Sequence, residues 1–224
     1  MPLAAAALVV LAFADTKITH KSLHDTKKGK YELNLHWVEL SPKSAVNNLA
    51  NTLIKSAVMG DIVEFKKDAM EPGYKPVAPW EHEVGCTVSM ATPNLVSVLI
   101  DTYNYSGGAH PNGWTEVVNV ALIRGKAQQL TLKDLLAPGV TESDILDVIV
   151  LPRANAAKRE RGMDEIDTLP EETNRKFIIS KFGLTFPFDK YAIGAYAEGE
   201  YQVKVAWKDM TGLINTKVIP FAVP

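Results

Sequence analysis

The sequence has little of several features that would define a class of protein. It has one cysteine in 224 residues, which excludes a disulfide framework and any cysteine-rich zinc module. It has no excess of positive charge, since 24 Lys and Arg stand against 26 Asp and Glu, so nucleic-acid binding has no electrostatic support. It also has no run of about 20 apolar residues that could cross a membrane as a helix. With 46% hydrophobic and 22% charged residues, the composition is that of an ordinary folded protein.

An uncharged apolar segment near the N-terminus predicts export. Residues 3–14 are uncharged and apolar, and residues 12–14 read Ala-Phe-Ala, a pattern that signal peptidase accepts. At about 12 residues the segment is too short to span a bilayer of about 30 Å. We therefore predict a signal peptide over residues 1–14, a periplasmic or extracellular location, and no transmembrane segment after cleavage. The alternative is a buried N-terminal helix or strand, or a wrongly assigned start codon, because the first two residues supply no lysine or arginine.

Hydrophobic periodicity predicts an α+β fold. Alternation of apolar and polar residues indicates strands at Tyr31–Leu40, Glu81–Ala91, Leu95–Tyr105 and Thr115–Ile123, and further strands around 184–188 and 201–207. The strands are not regularly separated by helices. We therefore expect one or more antiparallel sheets with helices packed on one face, not a doubly wound parallel sheet. A soft division separates an N-terminal α+β half, 15–112, from a C-terminal α+β half, 113–224.

Helix signals appear in two places. Ser41 and Pro42 are expected to be the N-cap and first residue of a helix that carries an apolar stripe over residues 46–58. Pro152 is expected to kink or stop a second helix, which begins near an acidic capping box at 141–144. Residues 153–175 are dense in charge of both signs, which is typical of a solvated helix face or a loop.

No catalytic or metal-binding motif stands out. His82 and Cys86 share one face of a predicted strand but lie about 13 Å apart, so we predict no metal site and no cofactor. Cys86 has apolar neighbours and is expected to be a buried, unreactive thiol. Glu81 and Glu83 lie about 6.6 Å apart on one strand face, a spacing that suits paired-carboxylate glycoside chemistry but is common.

The most unusual stretch is residues 105–111, Tyr-Ser-Gly-Gly-Ala-His-Pro. Two adjacent glycines permit a positive φ, and consecutive backbone N–H groups in such a turn can bind an anion. His110 titrates near neutral pH, and the neighbouring aromatic side chains offer flat surfaces for a sugar or a protein. The alternative is a tight turn between two strands, in which His110 is hydrogen-bonded to the backbone.

Two segments of the chain resemble a known pair of domains. They are residues 103–136, YNYSGGAHPNGWTEVVNVALIRGKAQQLTLKDLL, and residues 182–214, FGLTFPFDKYAIGAYAEGEYQVKVAWKDMTGLI. They are similar to the extracellular paired domains of unknown function shared by RsiV-type anti-sigma factors and PdaC-type peptidoglycan deacetylases. The resemblance covers roughly residues 30–215, although the family usually has glycine where this chain has Pro111. No segment resembles the sigma-binding, membrane or deacetylase parts of those proteins, so only the accessory domain is implied.

The resemblance implies a binding function. In the RsiV-type proteins this domain is similar to a receptor that binds lysozyme. We therefore expect an exported, non-catalytic binding module of the cell envelope, whose partner is a lysozyme-like protein or peptidoglycan glycan. The candidate ligand-binding residues are Tyr103, Tyr105, Ser106, Gly107, Gly108, His110, Trp114, Tyr191 and Tyr196.

The alternative function is a small cell-wall hydrolase. It would use His110 as a base, assisted by Asp101 or by a glutamate of the 81–83 strand. This hypothesis requires His110 within hydrogen-bonding distance of a carboxylate or a nucleophile.

Overall fold

Nine strands form two sheets in the part of the chain that the structure describes, residues 15–71 and 78–222 of a computed structural model. The first sheet has the order β1-β2-β3-β4-β5-β6, with strands Lys17–Lys27, Tyr31–Ser41, Trp80–Ala91, Leu95–Tyr105, Asn112–Ile123 and Lys126–Gln129. Its neighbouring strands are antiparallel, except for the parallel pair β2 and β3. The second sheet is antiparallel, with the order β7-β8-β9 and strands Ile178–Ser180, Gly183–Phe188 and Tyr201–Ala206. The predicted signal peptide lies outside the described residues.

Helices cover one face of the first sheet, and the predicted α+β fold is confirmed. Helix α1, Ala45–Met59, and helix α2, Ile62–Ala69, bury their apolar side chains in a core shared with β2–β5. The later helices are α3, Leu132–Leu135, α4, Ser143–Ile145, and α5, Leu151–Glu160; a π-helical turn over Leu146–Val150 joins the last two. Among the described residues, no helix is both long and apolar enough to cross a membrane.

Helix α1 begins later than predicted. Ser44, not Ser41, is the N-cap, and its hydroxyl accepts a hydrogen bond from the Asn47 N–H at 3.0 Å. Ser41 is instead the last residue of β2, where it pairs with Lys17 of β1. The sequence analysis missed β1 because almost every residue of this edge strand is exposed, so apolar alternation does not mark it.

Pro152 does not end the helix in which it lies. It occupies the first turn of α5, directly after the π-helical turn, and α5 continues to Glu160. A π turn already departs from the regular hydrogen-bond ladder, so the missing N–H of proline is tolerated there. The prediction of a stop at this residue is therefore wrong, whereas a kink stays a prediction.

The second sheet packs on the face of the first sheet that lies opposite α1, here called the outer face. Ser97 of β4 and Asn119 of β5 lie opposite each other and are buried under β7. The Ser97 hydroxyl accepts a hydrogen bond from the Ile179 N–H at 3.0 Å, and the Asn119 side chain donates to the Phe177 carbonyl at 2.6 Å. Side chains of the first sheet therefore hold the backbone of the β7 region in place.

The predicted division of the chain falls at the start of β5. This strand pairs with β4 along almost its whole length, from Asn112 opposite Asn104 to Ala121 opposite Leu95. The first sheet therefore includes residues on both sides of the division at 112/113. The division of the chain into an N-terminal half, 15–112, and a C-terminal half, 113–224, stays a prediction.

A buried histidine lies under the helices. His82 of β3 is 3% exposed, and its ring centroid lies 5.2 Å from that of Phe65 and 6.2 Å from that of Trp114. The side-chain amide of Asn104 lies 3.2 Å from its Nδ1. Burial lowers the pKa of His82, although the Asp61 carboxylate acts in the opposite direction.

We expect the free energy of unfolding to fall as the pH drops below about 6.5 because of His82. The unfolded chain takes up the proton at the ordinary histidine pKa of 6.5, whereas the folded chain takes it up only at lower pH. One such group contributes at most about 1.4 kcal/mol per pH unit, and this can be measured by urea unfolding between pH 7.5 and 5. His82→Gln should reduce the pH dependence, whereas the exposed control His36→Gln should not. Equal pH dependence in the two variants would contradict this assignment.

Candidate functional site

A cleft of about 530 Å³ lies on the exposed part of the outer face. Lys190 and Glu200, the residues just before and just after the segment 191–199, lie beside it. Strands β2–β5 supply its floor, and two side chains from the C-terminal part of the chain line its edge. The polar and aromatic side chains that line this cleft include Asn34, Glu83, Asp101, Tyr103, Lys190 and Glu200.

Strand register explains the floor of the cleft. Glu83 lies opposite Tyr103, which in turn lies opposite Gly113, and Gly85 lies opposite Asp101. Residues at alternate positions share a face of the sheet, so these carboxylates and the tyrosine project to the same side. Gly85 adds no side chain to the floor, and a Cβ at this position would project into open space, since it would meet no atom within 4 Å.

The cleft carries a negative field. Partial burial raises the pKa of Asp101, and the carboxylates of Glu200 and Asp189 raise it further. Burial also raises the pKa of Tyr103, as do the charge and hydrogen bond of the nearby Glu81. Asp189 is held in place by an ion pair with Lys176 and by hydrogen bonds from the N–H and hydroxyl of Thr115, at 3.1 and 2.8 Å.

Next to the cleft, three aromatic side chains form a group that we call the aromatic cluster: His110, Tyr191 and Tyr196. The His110 ring stacks on Tyr196 with centroids 3.9 Å apart and planes 26° apart, and the Tyr191 ring lies 5.5 Å from Tyr196. The Tyr196 hydroxyl donates to the Pro111 carbonyl at 2.9 Å. The structure thus brings together two sequence motifs that lie about 80 residues apart in the chain.

Lys190 joins the aromatic cluster to the cleft. Its ammonium lies 4.8 Å from the centroid of the Tyr196 ring, and the same side chain lines the cleft. Asn112 also lines the cleft and directly follows Pro111, to which Tyr196 is hydrogen-bonded. The cleft and the aromatic cluster therefore form one continuous surface.

The other predicted residues lie at different places around this surface. Tyr105 ends β4 opposite Glu81, and the turn over residues 106–111 follows it, with a positive φ of 83° at Gly107. Ser106 and Gly108 lie exposed in this turn. Trp114 borders the cleft, but its ring lies near His82 and not within the aromatic cluster.

His110 has no carboxylate partner among the described residues. Its Nδ1 lies 3.0 Å from the Pro111 carbonyl, and its Nε2 lies 3.5 Å from the Tyr191 hydroxyl. Asp101 lies in the cleft, and no hydrogen bond joins it to His110 in the part of the chain that the structure describes. The predicted assistance of His110 by Asp101 or by a glutamate of the 81–83 strand is therefore not seen among the described residues.

A buried ion pair supports the aromatic cluster. The Lys158 side chain is 2% exposed, and its ammonium donates to Glu198 Oε2 at 2.6 Å and to the Ile193 carbonyl at 2.7 Å. Glu198 also accepts hydrogen bonds from the Ala195 N–H and the Tyr201 hydroxyl, at 3.0 and 2.8 Å. The hydrogen bond from Lys158, followed by those from Ala195 and Tyr201, lowers the pKa of Glu198 to about 2. These bonds fix the segment that carries Tyr196.

Sequence reasoning missed this pair because residues 153–175 were expected to be solvated. One signal was available: Lys158 follows Val150 and Ala154 at four-residue spacing, and both of these residues are fully buried. Residues four apart lie on one face of a helix, so the lysine continues an apolar stripe into the core.

Thiol and metal chemistry find little support in the described residues. Burial raises the pKa of the Cys86 thiol to about 11, so the thiolate is scarce at neutral pH. Among residues 15–71 and 78–222, no group of three or more His, Cys, Asp or Glu side chains could hold a metal ion.

Two family models match the chain, one in each half. Residues 24–113 match the model described as deacetylase PdaC, and residues 133–208 match DUF3298, a family of unknown function. Residues 24–113 are therefore similar to a PdaC-type domain, and residues 133–208 are similar to a DUF3298 domain. The resemblance noted from the sequence is thereby confirmed.

Solved structures of DUF3298 proteins share the fold of this chain. One, a DUF3298 family protein from Pseudomonas aeruginosa PAO1, has a TM-score of 0.63 at 18% identity, and the match covers 93% of this chain and 96% of that one. Another, a DUF3298 family member from Bacteroides fragilis NCTC 9343, has a TM-score of 0.58 at 15% identity, covering 89% and 94%. At these identities the likeness concerns the fold alone. No curated protein is significantly similar in sequence.

Proposed function

We propose that this PdaC/DUF3298 chain is an exported binding module of the cell envelope that holds a peptidoglycan glycan strand in the cleft. The observation that carries the proposal is the stacking of His110 on Tyr196 beside the cleft, because it unites two distant motifs at one surface. Export rests on the signal peptide predicted over residues 1–14.

The chemistry of the lining suits a sugar chain. A sugar ring has apolar C–H faces, which pack on aromatic rings such as those of Tyr103 and Tyr191, both of which are exposed. Its hydroxyl and amide groups need hydrogen-bond partners, and Asn34, Asp101 and Glu200 provide them along the cleft.

A lysozyme-like protein is the other ligand that the resemblance implies. A stable protein partner covers about 800 Å² on each side, mostly as a broad patch with an apolar centre. This surface is instead concave and rich in carboxylate and amide groups, which suits a narrow polar chain. We therefore favour the glycan, and lysozyme becomes a comparison ligand in the experiment.

Retention on purified peptidoglycan and titration calorimetry with soluble glycan strands test the proposal. Gly85→Trp should fill the cleft, and Tyr196→Ala should remove the stacking partner of His110; we expect each to weaken glycan binding at least about tenfold. Phe182→Ala is the matched control, because this aromatic side chain is 72% exposed outside the cleft and its loss should change nothing.

Three outcomes would count against the proposal. The first is that the unmodified chain is not retained on peptidoglycan. The second is that Gly85→Trp, shown to be folded by circular dichroism, binds the glycan as well as the unmodified chain. The third is tight binding of lysozyme without binding of glycan.

A further inference from the structure

A second concave surface, which we call the basic groove, lies at the other end of β5. Its volume is about 940 Å³, and it runs between the β5–β6 turn, helix α3 and residues 215–218. It shares no lining residue with the cleft. Along β5, the nearest lining residues are Thr115 for the cleft and Leu122 for the groove, which lie seven residues or roughly 23 Å apart along the strand.

Positive charge lines this groove from three sides. Arg124 and Lys126 belong to the β5–β6 turn, Lys133 to α3, and Lys217 to the C-terminal segment. All four are exposed, and none of them forms an ion pair among the residues that the structure describes. The chain as a whole has a net charge of −2, so this local excess of cations is not a general property of its surface.

Asp134 is the one acidic residue among the described lining residues of the groove, and it forms no ion pair with the four cations, which remain in excess. Asp134 accepts hydrogen bonds from the N–H and hydroxyl of Thr131, at 2.7 and 2.9 Å, and from the Gln128 amide at 3.3 Å. Its carboxylate is thus engaged in capping α3. Arg124 also has a positive φ of 49° in a two-residue turn, where asparagine or glycine is favoured. An arginine therefore occupies this position although its backbone conformation is unfavourable for it.

We propose that the basic groove binds a phosphate-bearing anionic polymer of the cell envelope. Lysine is an effective phosphate ligand because it acts as a compact point charge that needs no particular approach angle. Cations on three walls favour a chain that carries charge on all sides, as linked phosphates do. An extended acidic polypeptide presents its carboxylates alternately to two sides. A flat membrane surface does not enter a concave groove.

The inference goes beyond the proposed glycan binding and shares with it only the envelope location. Its test therefore uses the purified full chain and a defined probe, a fluorescently labelled short inorganic polyphosphate, with affinity measured over a series of salt concentrations. Lys126→Gln combined with Lys217→Gln should weaken binding about tenfold and reduce the slope of log affinity against log salt by about one per lysine.

A matched control removes the same charge elsewhere. Lys43→Gln combined with Lys55→Gln removes two exposed lysines that lie outside the groove, and it should leave affinity and slope unchanged. The proposal is overturned if polyphosphate does not bind saturably, or if the control variant loses as much affinity as the groove variant. It is also overturned if poly-L-glutamate of equal charge binds as tightly as polyphosphate. Failure of peptidoglycan retention has no bearing on this result.

Discussion

Lys158→Met should lower the free energy of unfolding by about 3 kcal/mol. The ammonium group lies in the core, where its hydrogen bonds to Ile193 and Glu198 connect α5 to the segment beneath the aromatic cluster. Methionine retains the buried aliphatic stem, so the change removes charge and hydrogen bonds without opening a large cavity. The partner carboxylate keeps its bonds from Ala195 and Tyr201 and is slightly exposed, so the cost falls at the lower end for a broken buried pair.

Urea unfolding at neutral pH measures the loss in the free energy of unfolding. A control substitution is available in the same helix, α5. Arg159 forms an ion pair with Glu165 in which both side chains are more than half exposed. Arg159→Met should therefore change stability by about 0.5 kcal/mol or less. If the two variants lose the same stability, the Lys158 pair does not hold the core in the way described. Because the pair fixes the segment of Tyr196, Lys158→Met should also weaken glycan retention.

Gly183→Ala should destabilise the fold by more than about 3 kcal/mol. Gly183 begins β8 with a φ of +153°, and a Cβ there would lie 2.0 Å from the Val205 carbonyl oxygen and 2.8 Å from the Ala206 Cα. These are backbone atoms of the paired strand β9, so relief requires β8 and β9 to separate. The buried side chains Leu184 and Val205 would then lose their packing.

Circular dichroism during urea titration, together with the soluble yield, measures this effect. The matched control is Gly85→Ala, another glycine within a strand, where a Cβ meets nothing within 4 Å. Its expected change is a gain of about 0.5 kcal/mol, because alanine restricts the unfolded chain more than glycine does. A Gly183→Ala protein with an unchanged unfolding midpoint would contradict the predicted backbone clash.

Sequence periodicity predicted the strands whose burial alternates. Strands β2–β5 follow the predicted ranges closely because they bury one face or both, and burial leaves an apolar pattern in the sequence. Strand β1 left no such pattern because it pairs only with β2 in the sheet and almost all of its side chains are exposed. The start of α1 was misplaced because Ser41 and Ser44 are both competent caps, and pairing with β1 decides between them.

The candidate site was only partly predictable. The turn at 106–111 and the aromatic residues at 191 and 196 were recognised by type, but their contact depends on how the second sheet packs on the first. Asn34 and Glu200 were not predicted as site residues, and Asp101 was predicted only as a group assisting His110, because only strand register and sheet packing place the three around one cleft. A short stretch of sequence does not indicate which distant residues it will contact in the folded protein.

Ser97 accepts a hydrogen bond from the β7 region and Asn119 donates one to it, and these two bonds bear on how a ligand would enter the cleft. They join the two sheets through the centre of the first sheet, so the sheets cannot swing apart about a linker as two hinged lobes do. For the proposed glycan we therefore expect a cleft that is already formed before binding, so that little of the binding free energy is spent on moving one sheet relative to the other.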